Sequence, residues 1–269
     1  MSPEDEFLSK QRFLVISPHA DDESFGCAGT MARIKDLGGE VYVIVCSVGD
    51  LKHYDGTESM VTGARRESEL NEVMKYLKVD DFDVLYRDAQ SHLRLDAIPR
   101  RDLIHKIEEE SRLSYNRLRP TMVAISVSSY NQDHEAVFRA AFTAARPGVP
   151  ALKAFQPLVI GYNNTSLFWS LEREKFHPNF YIDISQYLDR KLTALSMHKS
   201  RCAMPFTTPV CKTSNTPRVC AAAKSQSKPP KATWFSGMSC DGRRRRGPSW
   251  QIGLRVKGAL LKTTNTMSF

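Results

Sequence analysis

Two short stretches hold most of the residues able to do chemistry: Pro18-His19-Ala20-Asp21-Asp22-Glu23 and, far along the chain, Asn131-Gln132-Asp133-His134. A hydrolytic zinc site uses three protein N or O donors and keeps a fourth position for a water, which the ion acidifies to about pH 7. His19, Asp22 and His134 could supply those three donors. Adjacent side chains cannot easily point the same way, so with Asp22 on a metal its neighbour Asp21 would face the water as a base. Each stretch also has a plainer reading. Acids at 21–23 are what a helix N-terminus attracts, and His134 alone could be a buried structural histidine or a cap. The pairing of the two stretches favours the metal.

The elements around these stretches must bring them together. Residues 13–18 (FLVISP) form a short apolar run ending in a turn, and 26–37 carry Met31, Ile34 and Leu37 on one helical face. Gly38-Gly39 stops that helix, and 41–48 (VYVIVCSV) reads as a strand covered on both faces. This is a βαβ unit, hence parallel and right-handed. The alternation continues with a helix at 64–77, a strand at 83–86, a helix at 101–113 opened by Pro99, a strand at 121–127 and a helix at 134–145 ended by Pro147. Strands at 158–162 and 181–184 follow, then a helix at 185–199 with Ser185 as its N-cap. The expected fold is α/β, a Rossmann-like doubly wound, mostly parallel sheet with helices on both faces. In such a sheet ligands bind beyond the carboxyl ends of the strands, where both stretches fall.

Ser17-Pro18-His19-Ala20-Asp21-Asp22-Glu23, followed by Gly26-Cys27-Ala28-Gly29-Thr30, resembles the His-Pro-Asp-Asp-Glu motif of the PIG-L/LmbE-like zinc-dependent N-acetylglucosamine deacetylases. Asn131-Gln132-Asp133-His134-Glu135-Ala136-Val137 resembles that family's second motif, which ends Asp-His-x-x-Val. The resemblance runs over about residues 12–200. It implies His19, Asp22 and His134 as the ligands of Zn2+, Asp21 as the general base, Arg66 as the substrate-side arginine and Glu69 as its acidic companion. Two departures bear on the chemistry. Ala20 replaces the usual Pro, which relaxes the loop but removes no functional atom. Asn131 stands where many members have a His that steadies the oxyanion or protonates the leaving amine. An Asn amide can donate to an oxyanion but cannot act as an acid, so both proton transfers would fall to Asp21.

Asp133 joins Asp21 and Asn131 in the expected catalytic set, as a carboxylate orienting a neighbouring His or Arg, with a plain helix cap as the competing reading. Asp50, at the end of the second strand, and His92, in the polar stretch 88–96, join Arg66 as candidate sugar contacts; a solvated loop is the competing reading for His92. Tyr130 and Trp169 could stack on a sugar face or simply pack. The expected reaction removes the N-acetyl group from an N-acetylglucosamine-containing small molecule or glycoconjugate, such as a secondary-metabolite or aminoglycoside precursor. An amidase acting on a larger conjugate amide, and a catalytically silent sugar- or nucleotide-binding module, are the rivals.

The formal net charge of +8 is concentrated in one place. From Cys202 onward there are twelve Lys/Arg against the single acid Asp241, whereas residues 1–201 carry 26 basic and 29 acidic side chains. A globular part of slightly negative charge has no reason to seek polyanions, which argues against a nucleic-acid partner. No apolar run approaches the roughly 20 residues that span a bilayer, and residues 1–12 lack a signal-peptide core. A soluble, cytoplasmic protein without a membrane partner is expected, with homo-oligomerisation left open. Cys202, Cys211, Cys220 and Cys240 include no CxxC pair and read as chance rather than a zinc knuckle, and disulfides are not expected. Residues 1–201 read as the catalytic domain and 202–269 as an atypical basic, disordered tail. Back-translated codons in a shifted frame permit an amphipathic helix after residue 202, so the tail reads as a frameshift product; an unbroken frame on resequencing around codon 202 would overturn that reading.

Overall fold

The computed structural model describes residues 1–52, 60–127, 129, 131–149, 151–164 and 178–202, so Tyr130, Trp169 and residues 203–269 lie outside the described residues. The chain runs α1 (Pro3–Ser9), β1 (Arg12–His19), α2 (Asp22–Asp36), β2 (Glu40–Ser47), β3 (Leu51–Lys52), β4 (Met60–Val61), α3 (Gly63–Tyr76) and β5 (Asp81–Tyr86). It continues with α4 (Arg100–His105), α5 (Tyr115–Leu118), β6 (Met122–Ser126), α6 (Gln132–Ala144), β7 (Leu158–Tyr162), α7 (Leu188–Met197) and α8 (Lys199–Cys202).

Five strands form one parallel sheet in the order β5-β2-β1-β6-β7, and β3 and β4 make a short antiparallel pair apart from it. The order changes direction between β1 and β6, the kind of switch point where a crevice opens at the carboxyl ends of the strands. His19 is the last residue of β1, and β6 ends at Ser126, one loop before Asn131. The two chemical stretches therefore leave neighbouring strands at the same edge.

Alternation along β1 shows why helices cover both faces. Phe13 and Val15 join a core containing Met31 of α2, Leu70 of α3 and Ala194 of α7, whereas Leu14 and Ile16 join a second core with Leu103 of α4 and Val137 of α6. All four β1 side chains are fully buried, each contributing about 1.5–3 kcal/mol relative to exposure. The doubly wound α/β sheet expected from the sequence is the fold observed.

Several element expectations need correction. Residues 181–184 are not a strand of the sheet. Ile182 and Ile184 are buried against the helices, which produces a period of two outside the five-stranded sheet, and Ile184 fits only because Gly29 has no side chain there. Ser185 is not the cap of α7: it starts a 3-10 turn, with its N–H and hydroxyl both donated to Asp183. The single helix expected at 101–113 is α4 followed by a π turn, Lys106–Glu110. Helix α1 was not expected, although Ser2, Pro3 and Asp5 form a capping box at its start. Cys27 and Cys46 are buried free thiols, and among the described residues no helix is long and apolar enough to cross a membrane.

Candidate metal centre and active-site crevice

The chain leaves β1 through a turn that a sequence of ordinary residues would avoid. Asp21 has φ 135°, a region that costs a non-glycine residue about 1–3 kcal/mol. Neighbouring polar groups hold the turn: Glu23 Oε2 accepts the Asp21 N–H at 2.9 Å, and Ser17 donates its hydroxyl to the His19 carbonyl at 2.5 Å. The Asp21 side chain makes no cap bond to α2. Asp22 likewise looks away from the helix, with Oδ2 at 3.1 Å from the His19 N–H, 3.5 Å from His19 Nδ1 and 3.2 Å from His134 Nε2. Asn164, just past β7, donates to the other oxygen, Oδ1. The reading in which these acids merely start a helix does not describe them.

The second nitrogen of each histidine is also engaged. His19 Nε2 lies 2.8 Å from Asp133 Oδ2, and Asp133 Oδ1 accepts the Leu95 N–H at 2.9 Å. His134 Nδ1 lies 3.1 Å from Ser126 Oγ. His19 therefore presents Nδ1, and His134 presents Nε2, to the place where Asp22 Oδ2 already sits. The three residues are buried, and their ligand atoms lie within 4.8 Å of one another. Bonds of about 2.0–2.1 Å to a tetrahedral zinc would set ligand atoms about 3.3 Å apart, close to the 3.2 and 3.5 Å found here. Outer hydrogen bonds that fix tautomer and ring direction complete the pattern of a zinc-binding histidine. On donor chemistry and spacing, the residues fit the metal. Asp133 is wholly buried with one oxygen on His19 Nε2 and the other on the Leu95 N–H, the placement of an orienting carboxylate, and the cap of α6 is Asn131.

Charge follows the geometry. Burial alone would lower the pKa of His19, but hydrogen bonds and charges from Asp133 and Asp22 raise it to about 9. Burial would raise that of Asp22, but the charge and hydrogen bonds of His134 and His19 hold it well below the usual carboxylate range.

The remaining candidates are placed differently. Arg66, on α3, is buried and donates from Nη1 to the Gly49 carbonyl at 3.1 Å and to His92 Nε2 at 2.8 Å, and from Nη2 to the Ala20 carbonyl at 3.4 Å. His92 is not a solvated loop residue: it is 5% exposed, with its ring edge-on to His19. Since Arg66 can only donate, Nε2 of His92 accepts, and Nδ1–H is left to donate to Ser47 Oγ at 3.1 Å. Burial, then the charges of Arg66 and His19, lower its pKa to about 3. Asp50 is exposed, and its Oδ1 accepts the Gly63 N–H at 2.7 Å. Asn131 Oδ1 accepts from the N–H groups of Asp133 at 3.0 Å and His134 at 3.3 Å, which leaves its NH₂ as the donor end. Glu69 does not pair with Arg66; it takes Arg65 Nε at 3.3 Å and the N–H and hydroxyl of Ser200.

Sequence reasoning missed Asn164 and Ser126. Both lie at or just past the carboxyl end of a sheet strand, and that position was the only signal either offered.

Comparison with known proteins agrees with this geometry. A family model described as PIG-L, GlcNAc-PI de-N-acetylase, matches residues 14–145, which include both chemical stretches. The uncharacterized deacetylase YaiS of Escherichia coli (strain K12) is 25% identical over 198 residues, covering 71% of this chain and 92% of that protein. The probable N-acetyl-alpha-D-glucosaminyl L-malate deacetylase 2 of Bacillus anthracis is 26% identical over 206 residues, covering 74% and 85%. Among solved structures, the conserved protein TT1542 from Thermus thermophilus shares the fold, with a TM-score of 0.53 at 24% identity over 71% of this chain and 79% of its own. With both motifs inside the matched region and deacetylases among its relatives, residues 14–145 of this chain are PIG-L/LmbE-like.

Proposed function

We propose that residues 1–201 form a hydrolase that removes the N-acetyl group from an N-acetylglucosamine-containing small molecule or glycoconjugate, using zinc held by His19, Asp22 and His134. The observation that carries the reading is the convergence of His19 Nδ1, Asp22 Oδ2 and His134 Nε2, with Asp21 next in the chain. When bound, zinc supplies Lewis acidity toward the acetamide carbonyl and a water acidified toward neutrality.

Asp21 accepts the proton of the attacking water and later delivers it to the departing amine. Asn131 can donate a hydrogen bond but has no proton to give, so its NH₂ steadies the oxyanion while its oxygen stays on α6. The water oxygen joins the acetyl carbon, the C–N bond breaks, and acetate and a free amine leave. Asp133 keeps His19 in the tautomer whose Nδ1 faces the metal. Arg66, with His92 behind it and Asp50 at the rim, faces the sugar. The amino-sugar substrate named for the Bacillus anthracis relative supports this substrate class.

The test combines metal analysis with acetate release from a panel of N-acetylglucosamine derivatives and larger conjugate amides. One zinc per chain with acetate released from the sugars is expected, and Asp22→Ala should lose both. Zinc-free protein that still binds sugar would sink the enzyme reading, and hydrolysis of the conjugate amides alone would replace the substrate class.

A further inference from the structure

Behind the β1–α2 turn, the junction of α7 and α8 reaches two acids that touch neither the metal ligand atoms nor the substrate side. His198, 3% exposed, has Nε2 at 3.2 Å from Glu23 Oε1 and 3.2 Å from Ser24 Oγ. Two residues on, Ser200 gives its N–H at 3.0 Å and its hydroxyl at 2.6 Å to Glu69 Oε2, one turn of α3 from Arg66. Both residues lie outside the segment 14–145 that the family model matches.

Glu23 joins this junction to the active site. Its Oε2 accepts the Asp21 N–H, and its Oε1 meets His198. Glu23 has no exposure, so these two contacts are what fix its carboxylate between the turn and the helix junction. Burial works against charge on His198, but the hydrogen bond and charge of Glu23, with the charges of Asp21 and Glu69 beyond, raise its pKa. Apolar packing of α7 against the core already comes from Ala194 and Leu195, so the polar reach of His198 is surplus to docking the helix.

We propose that His198 is a positioning residue for the hydrolytic reaction: through Glu23 it holds the Asp21 peptide in its left-handed turn, and the Ser200–Glu69 bonds fix the junction that carries it. The kinetic consequence rests on the hydrolase reading above; the structural consequence does not.

The test uses the full-length zinc-loaded protein and the variants His198→Leu, His198→Gln and Ser200→Ala. For each, melting temperature, zinc content, hydrogen exchange at the Asp21 amide, and kcat and KM on an N-acetylglucosamine derivative are measured. His198→Leu should keep its zinc, lose protection at the Asp21 amide and lower kcat about 10–100-fold, with KM moving less than about threefold. His198→Gln, whose amide can donate to Glu23, should recover most of both. Wild-type protection and kcat in a folded His198→Leu would overturn the proposal, as would a His198→Gln no better than His198→Leu. Should His198→Leu fail to fold, Gln must keep Asp21 protection while Ser200→Ala weakens it; the reverse pattern overturns the proposal. Should the wild type hydrolyse nothing, the hydrolase reading falls, and protection of the Asp21 amide alone decides the role of His198.

Discussion

Two histidines whose rings lie 5.7 Å apart are driven in opposite directions. His19 faces Asp22 and Asp133 and rises to about 9 in spite of its burial; His92 faces Arg66 and is lowered to about 3 by burial and the charges of Arg66 and His19. One wall of the crevice is thus a carboxylate cradle that draws a cation. The other is a donor-rich wall, with a neutral imidazole accepting from a buried guanidinium. Walls of opposite character at one switch point suit a reaction that needs a metal on one side and sugar oxygens on the other.

If the division is real, substitutions on the two walls should fail in different ways. Asp21→Asn should keep its zinc and lower kcat by about 10²–10⁴-fold, the range of general acid–base catalysis; undiminished turnover would place the base elsewhere. Asp133→Asn should weaken zinc about 10–100-fold in chelator competition by loosening His19. Arg66→Lys on the opposite wall should raise KM about tenfold with zinc content unchanged, because a point charge replaces a forked donor. Loss of zinc in that variant would erase the distinction between the walls.

A last effect falls on stability against pH in zinc-stripped protein. The unfolded chain takes up a proton at the His92 position near 6.5, whereas the folded one waits until about 3. Stability should therefore fall as pH drops below about 6.5, by up to about 1.4 kcal/mol per unit. His19 has the opposite sign: its contribution is complete below 6.5 and is lost as pH rises toward about 9. Thermal melts should peak near neutrality, and zinc should remove the alkaline limb by occupying Nδ1. A melting profile that rises steadily from acid to alkali would contradict the opposed shifts.

The clustering of His19, Asp22 and His134 could be expected from the sequence because strand ends deliver polar side chains as short consecutive runs. The sheet itself was readable for a related reason, since strands covered on both faces are unbroken apolar runs such as 41–48. Asn164 was not readable, because its bond to Asp22 joins residues 142 positions apart and no local pattern names the acid it will meet. The burial of His92 depends on Gly49, where a side chain would have met the ring at 2.6 Å. That close approach is invisible until the two loops are folded together. Residues 181–184 misled through alternation, because packing on a helix and packing in a sheet can ask for the same period.

Beside β1, the sheet also sets an order in time. Pairing from Phe13 with Met122 to Ile16 with Ile125 closes more than a hundred residues of chain, a step slower than forming any local helix. An emerging chain can offer an ion only His19 and Asp22 until that closure is complete. On the zinc reading proposed above, the ion would therefore arrive as a lock on a finished molecule rather than as its seed. Its removal would withdraw a mass-action bonus from the native state and leave the two apolar cores to hold the shape.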